Sequence, residues 1–264
     1  MKKIFNRIKK AINKANKSTF FVYLTLRGLV ILCLIRELFH GNYENVLLCI
    51  LSLVLFLLPA FVEKTFKIDL PNILEIIILI FIFSAEILGE INNFYGIFNN
   101  FDNILHTING FLCASIGFSL IYLLNENIES FKLSPLFVSI VAFCFSMTIG
   151  VFWEFFEYGM DNLFKLDMQK DEYVYNINTV TIDPEFSNKV IKIDGIEKTI
   201  SLDKNNNQIL EINGYLDIGL HDTMKDLIVN FVGALIFSIF GYLYMLNKDK
   251  YNLAGKFLTK KVKE

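Results

Sequence analysis

Pro135–Glu157 reads PLFVSIVAFCFSMTIGVFWEFFE. From Leu136 to Trp153 it carries no charged residue, and then Glu154 and Glu157 follow within one helical turn of each other. An α-helix needs about 20 mostly apolar residues to cross roughly 30 Å of hydrocarbon, and a backbone facing lipid must close its own hydrogen bonds. The stretch is therefore expected to be a transmembrane helix that ends in carboxylates.

The same pattern recurs at Thr19–Leu38, Tyr43–Val62, Asn72–Glu90, Ile104–Leu124 and Leu220–Leu246. Pro59, Pro71 and Pro135 fall at or near predicted ends, where a helix tolerates them. Composition agrees. Of 264 residues 54% are hydrophobic, yet 20% are charged and the formal net charge is only -2, so apolar and charged stretches must be segregated along the chain. Such a chain is neither disordered, nor collagen-like, nor a disulfide scaffold. Thirteen of its 25 Lys and Arg sit in two short tails and no folded basic face can be read, which argues against a nucleic-acid partner. The expected fold is an all-α polytopic membrane protein with six transmembrane helices and a small extracytoplasmic β-hairpin insertion between helices five and six.

Lysines and arginines orient the spans. Lys2, Lys3, Arg7, Lys9, Lys10, Lys14 and Lys17 precede the first span with no acidic residue among them, and Lys248, Lys250, Lys256, Lys260, Lys261 and Lys263 follow the last. Lys64, Lys67 and Lys132 lie in the loops on that same side, while His40–Asn42 and Ile91–Asn103 on the other side carry no Lys or Arg. By the positive-inside rule both termini are cytoplasmic, and the expected location is the bacterial inner membrane. The first span has no small-residue cleavage site after it and reads as a retained signal anchor. The segments are then a basic cytoplasmic tail over 1–18, five helices over 19–158, an extracytoplasmic segment over 159–219, a sixth helix over 220–246 and a second basic tail over 247–264.

Segment 159–219 is polar and acidic. Val190–Ile193 and Ile196–Leu202 alternate apolar and polar residues around Asp194-Gly195, the signal for a two-residue hairpin. A further strand, Ile209–Ile212, is expected after the turn-forming run Asp203–Gln208.

The chemistry-bearing residues gather at the ends of four spans. Glu86 and Glu90 close the third; Asp102 and His106 open the fourth, with Asn109 and Gly110 one turn deeper; Glu154, Glu157 and Asp161 end the fifth; Asp217, His221, Asp222, Asp226 and Asn230 open the sixth. Residues four apart share one helical stripe, and the alternation of spans puts all four groups on the outer side. Carboxylates near hydrocarbon cost about 2.5–3.5 kcal/mol each at mid-bilayer, so they mark paired or functional sites. Few cations are near to balance them, chiefly Arg36, Lys225 and the two histidines. A bound cation or shared protons would do so. The candidate metal ligands are Glu86, Asp102, His106, Glu154, Glu157, Asp222 and Asp226, and the candidate acid–base groups are His106, Glu154, Glu157 and Asp226. Oxygen donors with an imidazole suit a divalent metal, with Zn, Mn, Fe, Mg and Ca all open. The plainer readings are solvated interface residues for Asp161 and Asp217, and hydrogen bonds between helices for Asp226 and Asn230.

Arg27 lies inside the first span, either snorkelling to headgroups or countering Glu75. Cys33, Cys49, Cys113 and Cys144 show no CxxC spacing and read as reduced, apolar-embedded residues. Gly110, Cys113 and Gly117 form a small-residue stripe that allows close helix contact.

Phe101-Asp102-Asn103-Ile104-Leu105-His106 with Gly110, then Trp153-Glu154-Phe155-Phe156-Glu157, then Asp222-Thr223-Met224-Lys225-Asp226-Leu227 with Asn230, Gly233 and Ala234, resemble the YjdF-like family of bacterial inner-membrane proteins. The resemblance runs from about Pro59 to Tyr244. A weaker similarity is to VanZ-like proteins, on Asp102 and His106, Glu154 and Glu157, and Asp226, Asn230 and Gly233. Neither family implies a settled mechanism, and segment 159–219 is longer than their pattern. The leading expectation is a metal-dependent enzyme acting on a lipid or lipid-linked envelope substrate. A cation- or proton-coupled transporter and a non-catalytic envelope-binding protein are the alternatives. Oligomeric state is not encoded in any motif.

Overall fold

Long apolar runs joined by short polar connections fold as helices that alternate in direction, and the computed structural model, which describes residues 17–127 and 132–261, has this architecture. Among the described residues six stretches are long and apolar enough to cross a membrane: Lys17–His40, Tyr43–Thr65, Asn72–Ile91, Phe101–Glu126, Pro135–Phe164 and Leu220–Leu246. Each lies within a few residues of a span read from the sequence, except that the fifth runs one and a half to two turns further. Lys2 to Lys14 and Lys263, part of the orientation argument, lie outside the described residues.

The helices are α1 (Lys17–His40), α2 (Tyr43–Leu55), α3 (Leu58–Phe66), α4 (Asn72–Phe83), α5 (Phe94–Ile97), α6 (Phe101–Asn127), α7 (Pro135–Phe164) and α8 (Leu220–Leu246). The second span is two helices because Pro59 occupies the first turn of α3, where its missing N–H and fixed φ suit a start and not a continuation. The third span changes its winding. After α4 the chain continues as a π-helix over Ser84–Ile91, which carries Glu86 and Glu90. Gly89 in this turn touches the Tyr95 ring so closely that a Cβ would lie 2.4 Å from it, so α5 packs there only against glycine.

The chain divides into two units, one of 1–150 with 226–264, the other of 151–225. In the first unit Val30, Cys49, Phe56, Leu79, Ile82 and Ile87 bury one apolar cluster among α1, α2, α4 and the π-helix. A second cluster, with Leu112, Phe118, Val138, Ala234, Phe237 and Phe257 in it, joins α6, α7, α8 and the C-terminal segment. Outward-facing Leu24, Phe61, Leu124 and Ile228 stay exposed, as side chains solvated by lipid should.

Glycines set the spacing of α6 and α8. A Cβ on Gly233 would lie 2.0 Å from the Thr107 carbonyl oxygen, and one on Gly110 would lie 2.1 Å from that of Asn230. Backbones in contact at two points, one turn apart on each helix, are small-residue packing of the kind that holds helices together in lipid. The stripe expected from Gly110 and Gly117 is thus used, Gly117 lying against Phe145 of α7. Of the cysteines, Cys49 is buried, Cys33 and Cys113 half-buried, and Cys144 exposed; all four are free thiols.

The C-terminal tail, read from the sequence only as positive charge, folds back into this unit. A 3-10 turn at Ala254–Phe257 inserts Phe257 against Phe111 and Phe237. Thr259 bonds to Ser119 of α6 at 2.7 Å, and β8 (Lys260–Lys261) pairs antiparallel with β1 (Ile68–Asp69).

The second unit holds the end of α7, the start of α8 and three antiparallel strand pairs between them. These are β2 (Tyr173–Val174) with β7 (Tyr215–Leu216), β3 (Ile177–Thr179) with β4 (Ile191–Ile193), and β5 (Lys198–Leu202) with β6 (Gln208–Asn213). The hairpin expected around Asp194-Gly195 does not form. Gly195 instead donates its N–H to the Asn176 side chain and Ile196 donates to the Tyr175 carbonyl, so this strand is claimed by an earlier segment. The hairpin closes one turn later, where Asp203 accepts the N–H groups of Asn205 and Asn207 and joins β5 to the strand expected at Ile209–Ile212.

Candidate functional site

The opening of α6 is fixed by an aromatic cap. Phe94 and Tyr95 of the preceding turn pack with Phe101 at ring distances of 5.4 and 5.5 Å, and Phe98 packs on Phe94 at 5.0 Å, which holds the first turn of α6 and with it Asp102. His106 follows one turn deeper, about 7 Å along the helix from its start. On α8, Asp226 lies about 9 Å from the start by the same rise. The glycine contacts just below bring these turns together.

The result is one convergent group in the first unit. His106 Nε2 stands 3.6 Å from Asp102 Oδ1 and 3.7 Å from Asp226 Oδ2. Asp102 is partly open to solvent at 36% side-chain exposure, His106 is mostly covered at 12%, and Asp226 is enclosed at 2%. These distances exceed a normal hydrogen bond. They match donors arranged around a shared ion: ligands about 2.0–2.2 Å from a tetrahedral metal stand about 3.4 Å from one another. One imidazole and two carboxylates, all within 4.8 Å of one another, form a donor set that a divalent cation accepts.

Asn230, one turn below Asp226, closes the floor. Its side chain is fully buried, its Nδ2 meets the Met147 sulfur at 3.6 Å, and its Oδ1 has no hydrogen-bond partner among the described residues. A Cβ on Gly150 of α7 would lie 2.6 Å from that Nδ2, so the amide packs on a glycine of α7 while the Asn230 backbone packs on Gly110 of α6. Ser146 fastens the same crossing by donating to the Gly110 carbonyl at 2.7 Å. A buried carbonyl oxygen left without a donor costs about 1–3 kcal/mol, which a bound water or cation would recover.

The remaining sequence-derived residues are placed as follows. Glu154 and Glu157 are buried in the second unit, and Trp153 Nε1 donates to Glu157 Oε1 at 2.8 Å. Asp222 accepts the Lys170 N–H at 2.8 Å, Asp161 accepts those of Met168 and Gln169, and Asp217 accepts those of Glu172, Gly219 and His221. These three carboxylates terminate the chain's turns on the second unit. Lys225 pairs with Glu172 at 3.1 Å. Glu86 sits half-buried in the π-helix and, among the described residues, joins no three-donor group. Arg27 lies over the Tyr23 ring and donates to the Leu53 carbonyl. Sequence reasoning missed Ser146, Met147 and Gly150; the one signal for them was Gly150 in an otherwise bulky helix.

The chain belongs to a family of predicted membrane proteins, DUF2238, whose model matches residues 22–247. No curated protein and no solved structure matches it.

Proposed function

We propose that this family member holds a divalent cation between Asp102, His106 and Asp226 and uses it in an enzyme acting on a lipid or lipid-linked envelope substrate. The observation that carries the reading is the convergence of three donors from α6 and α8 on one point, above a buried amide oxygen that lacks a donor. The cation would polarise a carbonyl or phosphoryl oxygen or activate water; Asp102, the most open of the three, would present that water to the membrane surface. Within the family we place the chain with YjdF-like proteins, on its Phe101–His106 and Asp222–Leu227 motifs, and in the bacterial inner membrane with both termini cytoplasmic, on the lysines at 64, 67, 132 and 248.

A cation transporter is the second reading, favoured by buried donors at membrane depth. Against it, the helices below the site are packed by Phe111, Phe118, Phe237 and Phe257, which leaves an apolar plug where a permease needs a polar path.

Elemental analysis of the purified full-length protein tests the site. A stoichiometric divalent metal in the wild type, lost in His106→Ala and Asp226→Asn, is the expected result; Glu154→Gln and Glu157→Gln probe the roles the sequence suggests for those residues. Metal content that is nil in the wild type, or unchanged in the first two variants, refutes the reading. Labelled-lipid turnover against cation flux in reconstituted vesicles then separates enzyme from transporter.

A further inference from the structure

A second polar feature lies in the first unit, where α1 ends. Glu37 is 6% exposed in the last turn of a transmembrane helix, and both of its oxygens are taken. Arg36 Nε donates to Oε1 at 2.6 Å and Asn45 Nδ2 of α2 donates to Oε2 at 2.9 Å. Arg36 Nη1 reaches Asn92 Oδ1 at 3.4 Å. The guanidinium is thus oriented from behind by a carboxylate on one side and an amide on the other, yet remains 48% exposed. In front of it is a hollow of about 600 Å³ lined by Arg36, Glu37, His40, Gly41 and Asn42. Gly41 takes φ +72° there, so the chain turns away sharply and leaves the hollow open.

The placement of the charge also calls for a partner. Among the described residues of the first unit, Arg36 is the one Lys or Arg at the end of the spans opposite the two termini. Carboxylates dominate that end, and positive charge is disfavoured in loops on that side under the orientation proposed above. Glu37 uses the Nε–H, and the other edge of the guanidinium still has N–H groups in the planar fork that matches phosphate oxygens. His40 follows one turn later and lines the same hollow. The last turn of a span is the level at which phosphate-bearing headgroups sit.

We propose that Arg36, positioned by Glu37 and Asn45 and assisted by His40, binds the phosphate group of an anionic lipid or lipid-linked molecule. The substrate role of that phosphate rests on the enzyme reading above, but the binding itself is measured without it. The test uses the full-length protein in zwitterionic detergent, titrated calorimetrically with short-chain phosphatidic acid, short-chain phosphatidylcholine and inorganic phosphate. Phosphatidic acid should bind more tightly than phosphatidylcholine. Arg36→Gln should weaken it about tenfold, as loss of a charge-assisted fork does, and Arg36→Lys by less. Binding of phosphatidic acid alone identifies a lipid headgroup as the source, and equal binding of inorganic phosphate identifies the free anion; both support the site. Equal binding of the two lipids, or unchanged affinity in Arg36→Gln, overturns it. Should Arg36→Gln fail to fold, unchanged affinity in both Arg36→Lys and His40→Gln does the same. Metal content in Arg36→Gln should equal that of the wild type, so failure of the phosphate site and failure of the metal site give different results.

Discussion

The backbone of Asn230 lies against Gly110 so closely that a Cβ on the glycine would come within 2.1 Å of the asparagine carbonyl oxygen. This contact, with that of Gly233 on Thr107, sets how near α6 and α8 approach and therefore whether His106 and Asp226 meet. A Cβ there meets backbone, which cannot swing aside as a flexible side chain can. Gly110→Ala and Gly233→Ala should each destabilise the protein by about 1–3 kcal/mol or more, read as a lower thermal midpoint in detergent. Both should also weaken metal binding although neither residue carries a ligand atom.

Asp226→Asn separates a ligand from a structural carboxylate. Asp226 is 2% exposed and shares the His106 imidazole with Asp102, at 3.7 and 3.6 Å, and two carboxylates on one imidazole repel each other when no cation is bound. In chelator the variant should therefore melt close to the wild-type temperature. Added divalent ion should raise the wild-type midpoint, by about 2.7 kcal/mol of stability at a hundredfold excess over the dissociation constant, and leave the variant unmoved. A large loss of stability in chelator would instead mark Asp226 as helix glue.

Asn230 is expected to behave in the same direction. Its Oδ1 has no partner, so Asn230→Leu removes an unsatisfied acceptor and should cost little in the metal-free protein. Asn230→Asp places a carboxylate on the same floor and should tighten cation binding. Melting curves with and without divalent ion check both.

The loop after β3 should respond to acid. Asp183 accepts the N–H groups of Lys189, Glu185 and Ser187 and the Ser187 hydroxyl, and the bond from Lys189 leads in holding its carboxyl below the usual range, against the opposing effect of burial. Because the folded pKa is the lower one, its contribution is present above the unfolded value of about 3.9 and is lost as pH falls through the folded value. Amide-exchange protection at Ser187 and Lys189 should thus be flat near neutral pH and fall below about 4. Asp183→Asn should abolish that dependence.

Phe257 tests whether the C-terminal segment is part of the fold. It is 5% exposed between Phe111 and Phe237, so Phe257→Ala should cost about 3–5 kcal/mol. Deletion of residues 252–264 should do at least as much, again by thermal melt.

The six spans were legible because a membrane helix is a local object: its length and apolarity are properties of one continuous run, and no distant contact is needed to specify it. The carboxylate and histidine groups at the span ends were legible for the same reason, since residues four apart share a stripe wherever the helix packs. Strand pairing is not local. Asp194-Gly195 has a strong turn signal, yet β4 pairs with β3 across the loop built on Asp183, and no short-range pattern announces that partner. The π-helical turn that carries Glu86 and the refolded tail around Phe257 likewise follow from packing between segments far apart in the chain. The sequence alone thus determined that polar donors collect at the ends of apolar helices. The tertiary structure decided which of them converge: Asp102, His106 and Asp226 meet because glycines at 110 and 233 let two helix backbones touch, and that contact is a property of the pair.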